Sequence, residues 1–296
     1  LADATVVGGD VQIRNAGLAT LGGASTVAVD GGFAQVGEAG LLLENSVLSV
    51  NEAMRVAGPL TVGNDVTVVA PRIEMDASID GVADGLYALT LDASESIALS
   101  GAVGQSRPLD SLATGQSGVL SLNTTLVATE GAQDYNVPLT FFAGSLSDPL
   151  VLRSAAGDID LGGPVSAGPA AKDATRSLTL QAPNGNVFVR DQIGVSLVGV
   201  PFGTYQNTVD TNPYQLVVNA EDIWLYADVT TFENQTYDGR VHIGNNGTNG
   251  FTRLVVSLDP SVVFNGTIDD TVPMTHRLDV RAVTTNRQNG QLPEIR

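Results

Sequence analysis

Asp269-Asp270 is the best carboxylate pair in this chain for acid–base work. Glycoside hydrolysis needs two carboxylates facing one bond, one protonated and one ionised. Neighbours on a strand point to opposite faces, so these two do not face one bond and read as a turn. Only two histidines occur, His242 and His276. His242 alternates with Val241 and Ile243 and should point outward; His276 follows Pro273 in a loop. Neither has a partner at the spacing a zinc site or a general base requires. Asp158-x-Asp160 and Asp269-Asp270 offer hard oxygens to calcium, but the Gly-rich nonapeptides that hold calcium between coils are missing. Tyr135 and Tyr237 recur in matching contexts, either as core or corner aromatics or as platforms for a sugar. Asn-x-Thr at Asn123, Asn234, Asn246 and Asn265 reads as turn composition rather than glycosylation. The sequence therefore assigns no catalytic, cofactor-binding or metal residue. Calcium is the one cofactor it leaves open.

Composition bounds the partners. The net charge of -18 argues against nucleic acid and anionic lipid, which need a cationic surface. With no cysteine, disulfides, thiolate metal sites and a cysteine nucleophile are excluded. No run of 18 apolar residues exists, so no segment reads as a membrane-spanning helix. Aromatics are 5% against 43% hydrophobics, so the core must come from Val, Leu, Ile and Ala. The 33 glycines and 16% charged residues suit many short strands and tight turns. Only one lysine occurs, Lys172, and composition gives no physical reason for that.

The elements that must position any site repeat. Ile159-Asp160-Leu161 leads through Gly162-Gly163 to Val165, and Leu178 to Ala182 closes the unit. The pattern returns at Ile73 to Ile79, Val187 to Ile193 and Val262 to Ile268, while Ile97 to Val103 and Ile223 to Val229 share its first half. The outer apolar residues of each copy are six apart, an even spacing that puts both on one face of an extended chain. Starts lie unequally spaced, as in a solenoid whose strands stack while its loops vary. The reading is all-β: a parallel β-helix of roughly ten coils with protruding loops, right-handed by the rule for parallel connections.

In chain order, residues 1–72 hold short strands broken by Gly pairs, and residues 73–296 hold the clear repeats, in one continuous segment. Gly104 to Gly118 reads as a loop leaving the coil; Gly194 to Pro213 and 244–250 are further insertions. Gln133-Asp134-Tyr135-Asn136 and Gln235-Thr236-Tyr237-Asp238 mark a larger duplication, each followed by a repeat start 24 or 25 residues after the tyrosine. The inward set includes Ile97, Leu99, Val103, Ile159, Leu161, Val165, Val262, Phe264 and Ile268. The chain opens Leu1-Ala2-Asp3-Ala4, with neither Met nor a basic start, and no cap sequence is visible at either end. It reads as a fragment of a longer fibre whose open ends stack on further coils or on another copy.

Three segments carry a resemblance: Ile97-Ala98-Leu99-Ser100-Gly101-Ala102-Val103, Gln235-Thr236-Tyr237-Asp238-Gly239-Arg240-Val241 and Val263-Phe264-Asn265-Gly266-Thr267-Ile268-Asp269-Asp270. They resemble repeats of filamentous haemagglutinin-like adhesins, the large bacterial exoproteins exported by two-partner secretion, and of related autotransporter passengers. The resemblance is strongest over 73–296. It implies a right-handed β-helix at the bacterial cell surface, serving as a stalk or fibre for attachment. The amino-terminal secretion domain, the translocating barrel and a carboxy-terminal effector are not seen.

The expectation is therefore an extracellular structural segment of an adhesin or surface fibre, without enzyme activity. Its partners are further coils or copies of the fibre and cell-surface or matrix polysaccharide. The second reading is a carbohydrate-active β-helix enzyme, and the third a carbohydrate-binding module. The pectin-hydrolase motifs Asn-Thr-Asp, Gly-His-Gly and Arg-x-Lys are missing. An enzyme would gather carboxylates and basic residues on neighbouring coils, and no such gathering is visible in the sequence.

Overall fold

The computed structural model describes residues 4–23, 25–143, 145, 147–168, 176–194, 212–244, 251–256, 261–270 and 277–282. Every strand pair among them is parallel, and no helix occurs among them. The strands stack as a β-solenoid of about ten turns, which is the fold the repeats predict.

Three ladders make three sides. The first runs from Ala4–Val7 through Thr26–Val29 and Val47–Val50 to Leu112–Thr114, Gln133–Tyr135 and Ile159–Leu161. It continues through the second halves of Leu178–Val189, Leu216–Leu225 and Gln235–Ile243 to Ile268–Asp270. The second side begins at Val11–Ile13 and Phe33–Gln35, includes Leu139–Phe141 and Val165–Ala167, and passes Ile193 to reach Val229–Thr231. The third runs from Ala19–Leu21 and Leu41–Leu43 through Leu126–Thr129 and Leu150–Ser154 to Val262–Phe264. Long strands such as Val66–Met75 serve two sides by bending at a register shift between Ala70 and Arg72, next to Pro71.

The six-residue spacing has a different geometry from the one the sequence suggests. Ile159 and Leu161 lie on the first side, but Val165 lies on the second. Ile73 lies on the second side and Ile79 on the third. Each repeat is thus a corner: both apolar ends point into the core from adjacent sides rather than from one strand. Glycine is required there by close approach. A Cβ on Gly163 would sit 2.4 Å from the Val137 carbonyl, and one on Gly101 would sit 2.1 Å from the Ala77 carbonyl carbon.

The core is one column of stacked side chains. Of the predicted inward residues, Ile97, Leu99, Val103, Ile159, Leu161 and Val165 are fully buried. Each contributes about 1.5–3 kcal/mol before conformational entropy is counted. Val262 and Phe264 are only half-buried, and Ile268 is 43% exposed, which corrects the predicted set. Ile268 pairs with Val241 on one edge, and among the described residues no strand stacks on its other edge. At one level a large ring is matched by a small residue, Phe141 standing over Ala167.

The predicted loop from Gly104 to Gly118 is also corrected. It contains the first-side strand Leu112–Thr114, and Leu109 and Leu112 are buried. Its glycines and Pro108 mark corners of a coil. The insertion at Gly194 to Pro213 and the tip at 244–250 fall largely outside the described residues.

Candidate functional site: an outward column on the first side

Alternation that sends Val, Ile and Leu inward sends the intervening residues out. On the first side these outward residues stand in register, one per coil: Asp134, Asp160, Phe188, Trp224, His242 and Asp269. Lower on the same side the corresponding positions are Thr67, Thr90 and Ala113. On this side the charged and aromatic groups therefore lie in the upper half.

The rings share nearly one orientation. Phe188 and Trp224 have centroids 6.2 Å apart at 20°, and Trp224 and His242 stand 4.2 Å apart at 17°. Tyr226, two residues along the strand, lies 6.3 Å from Trp224 at 11°. Its ring covers Gly244 on the next coil, where a Cβ would come within 2.4 Å of it. Arg190 places its guanidinium 4.9 Å from the Phe188 centroid and 5.8 Å from that of Tyr226. Such contacts contribute about 0.5–1 kcal/mol each on an accessible surface.

Charges around the rings are paired across coils. Arg190 Nε donates to both Asp160 oxygens at 2.7 and 2.8 Å, and Nη2 donates to Oδ2 at 2.6 Å. Asp222 receives Arg240 Nη2 at 2.9 Å and lies 2.7 Å from His242 Nε2. Burial pushes the Asp222 carboxyl up, but its bonds to His242 and Arg240 together outweigh that and hold it below the usual carboxylate range. Asp134 differs. Burial pushes its carboxyl up, helped by the charge of Asp160 and opposed by a hydrogen bond with Asn136 and the charge of Arg190.

The structure places the sequence candidates as follows. Asp269 and Asp270 point to opposite faces of their strand, as alternation requires, so they form no acid–base pair. His242 points outward, but it does have a partner: Asp222, on the neighbouring coil. His276 and Asn246 lie outside the described residues. Asp158 caps a corner, accepting from the Asn186 backbone at 2.7 Å and its side chain at 3.0 Å, while Asp160 is held by Arg190. The two do not converge on a cation, and no group of three or more possible ligands occurs among the described residues. Tyr135 and Tyr237 are fully buried, which overturns their use as sugar platforms. Asn234 bonds Ser261 across a corner, and Asn123 and Asn265 are exposed.

Both tyrosines serve a buried amide. Tyr135 O–H donates to Gln133 Oε1 at 2.9 Å, and Gln133 Nε2 donates to the Val127 carbonyl at 3.2 Å, Thr129 Oγ1 at 3.2 Å and the Arg153 carbonyl at 2.7 Å. Tyr237 O–H donates to Gln235 Oε1 at 3.0 Å, and Gln235 Nε2 donates to the Val229 carbonyl at 3.3 Å and Thr231 Oγ1 at 3.2 Å. The Gln–Tyr motif is thus the hydrogen-bond solution to a buried corner.

The gathering of acidic and basic residues that the sequence did not reveal is present on the first side. The rings beside it did leave a signal, the middle residue of three alternating apolar triplets: Val187-Phe188-Val189, Ile223-Trp224-Leu225 and Val241-His242-Ile243. A groove of about 410 Å³ elsewhere is lined by Ser49, Asn51, Pro71, Asp92, Ser94 and Ser117 among others, with Asp92 its one carboxylate. It cannot supply the acid and the base of a hydrolase. In comparison with known proteins, no family model, no curated protein and no solved structure matches the chain.

Proposed function

We propose that this chain is a structural segment of an extracellular bacterial adhesin or surface fibre, acting in attachment to a cell surface or matrix rather than in catalysis. The observation that carries this reading is the outward column. Its charged and aromatic groups point outward in register over successive coils, where they can meet another surface. The net charge of -18 keeps rods apart side to side and disfavours nucleic acid. The resemblance to filamentous haemagglutinin-like repeats points the same way, and partners would be further coils or copies of the fibre and surface polysaccharide.

A second reading, a carbohydrate-active enzyme, draws on one feature: Asp134 and Asp160 stand on neighbouring coils in unlike environments. It is the weaker reading, because Asp160 is already tied by three bonds to Arg190. The test is retention under flow. Inert beads coated with residues 1–296 should stay on biofilm matrix or cell layers where uncoated beads wash off. Equal loss of both would reject attachment. Reducing sugar released from a polysaccharide, and lost on Asp134→Asn, would favour the enzyme.

A further inference from the structure

We propose that the upper first side binds a neutral, linear glycan laid along the solenoid axis, through Arg190, Phe188, Trp224, Tyr226 and the His242–Asp222 pair. This rests on the attachment reading and names the ligand class that the column takes.

Four observations carry it. Phe188, Trp224 and His242 rise one per coil, and coils lie about 4.8 Å apart, so the surface repeats along the axis and suits a polymer that also repeats. The rings are half-buried and nearly parallel at 11–20°, so apolar rims alternate with polar groups, as they do on a sugar. The charges beside the rings are paired within the protein: Asp160 with Arg190, and Asp222 with Arg240 and His242. A locally balanced strip on a strongly acidic rod offers little to an anion and much to a neutral hydroxyl-rich chain, since paired carboxylates still accept hydrogen bonds. Finally, the indole N–H of Trp224 and the phenol O–H of Tyr226 have no hydrogen-bond partner among the described residues.

Trp224 is the chain's one tryptophan and therefore reports on the strip directly. Residues 1–296 are titrated with cellohexaose, N-acetylchitohexaose and laminarihexaose, with hexagalacturonate as the acidic comparator, while Trp224 emission is followed. The expected result is saturable change with at least one neutral hexasaccharide, on the order of a millimolar constant or tighter. Tyr226→Ala and Arg190→Met, at unchanged melting temperature, should each weaken it by about tenfold. Three results would overturn the proposal: no response to any neutral hexasaccharide, equal affinity for hexagalacturonate, or binding that both variants leave unchanged. Emission that follows protein concentration and not glycan would do so too, assigning the strip to contact between copies. The bead assay separates the two readings: Tyr226→Ala beads that adhere like wild type retain attachment and reject this strip, whereas wild-type beads that wash off reject attachment whatever the titration gives.

Discussion

The corners at Val127 to Tyr135 and at Val229 to Tyr237 are chemically the same and architecturally different. Each has the order Val-x-Thr-x-x-x-Gln-x-Tyr, and each uses the glutamine amide to tie the threonine hydroxyl, the valine carbonyl and the tyrosine hydroxyl. Yet the first turns from the third side onto the first, and the second turns from the second side onto the third. The motif therefore specifies a corner without specifying which corner. The difference decides the outward surface. After Tyr135 the next strand, Leu139–Phe141, falls on the second side; after Tyr237 the chain bends on into Val241–Ile243, which falls on the first and delivers His242 beside Trp224.

The largest effect should come from breaking what the corners share, the inward column. Leu161→Asp puts an unpaired charge beside Tyr135 and should cost more than about 4 kcal/mol, seen as a large fall in melting temperature. Its outward neighbour changed, Asp160→Leu, should shift the transition little, because an accessible ion pair contributes about 0.2–1 kcal/mol. Gln133→Ala and Gln235→Ala then test the corners themselves. Each leaves a buried tyrosine hydroxyl and a buried carbonyl without a donor or acceptor, a cost of about 1–3 kcal/mol per group. Denaturant unfolding should show both losses to be alike although the sides differ.

A smaller effect separates the buried tyrosines from exposed ones by pH. Burial pushes both phenols well above their ordinary value. The unfolded chain ionises near about pH 10, so the stability gained by keeping the phenols neutral is complete below that and is lost as pH rises beyond it. The double variant Tyr135→Phe, Tyr237→Phe should lose less stability between neutral pH and pH about 11 than the parent. The smallest effect concerns Asp134, whose carboxyl burial pushes up. The folded state then favours its protonated form, so Asp134→Asn should raise the melting temperature slightly at neutral pH and lose that advantage as pH falls below the carboxylate range.

Strand alternation, parallel stacking and the inward residues from Ile97 to Val165 were legible because a buried column leaves a regular imprint on the sequence. So was the coil length after each tyrosine: Tyr135 lies in register with Leu161, and Tyr237 with Phe264. What was not legible was the phase. Coils differ in length, and a corner unit can open any of three sides, so spacing alone does not say which outward residues meet. His242 and Asp222 are 20 residues apart, and Asp160 and Arg190 are 30 apart. Neither separation is a motif; both follow from which side each corner opens. The two tyrosines were legible as core or corner aromatics, which they are, but the glutamine amide that holds each of them inside was not.

The claim that the corner is the unit, and that it gathers Phe188, Trp224 and His242 on one side, can be tested by cross-linking, since the chain has no cysteine of its own. The register places Trp224 opposite His242, whereas Thr236 lies on the third side opposite Val217 and Val263. Neighbouring strands bring their Cα atoms within the range a disulfide spans, about 4.4–6.8 Å. Mild oxidation of the folded double variant Trp224→Cys, His242→Cys should give a quantitative intramolecular disulfide, and Trp224→Cys, Thr236→Cys should give none. The opposite pattern would put the second Gln–Tyr corner on the same side as the first and would contradict the account.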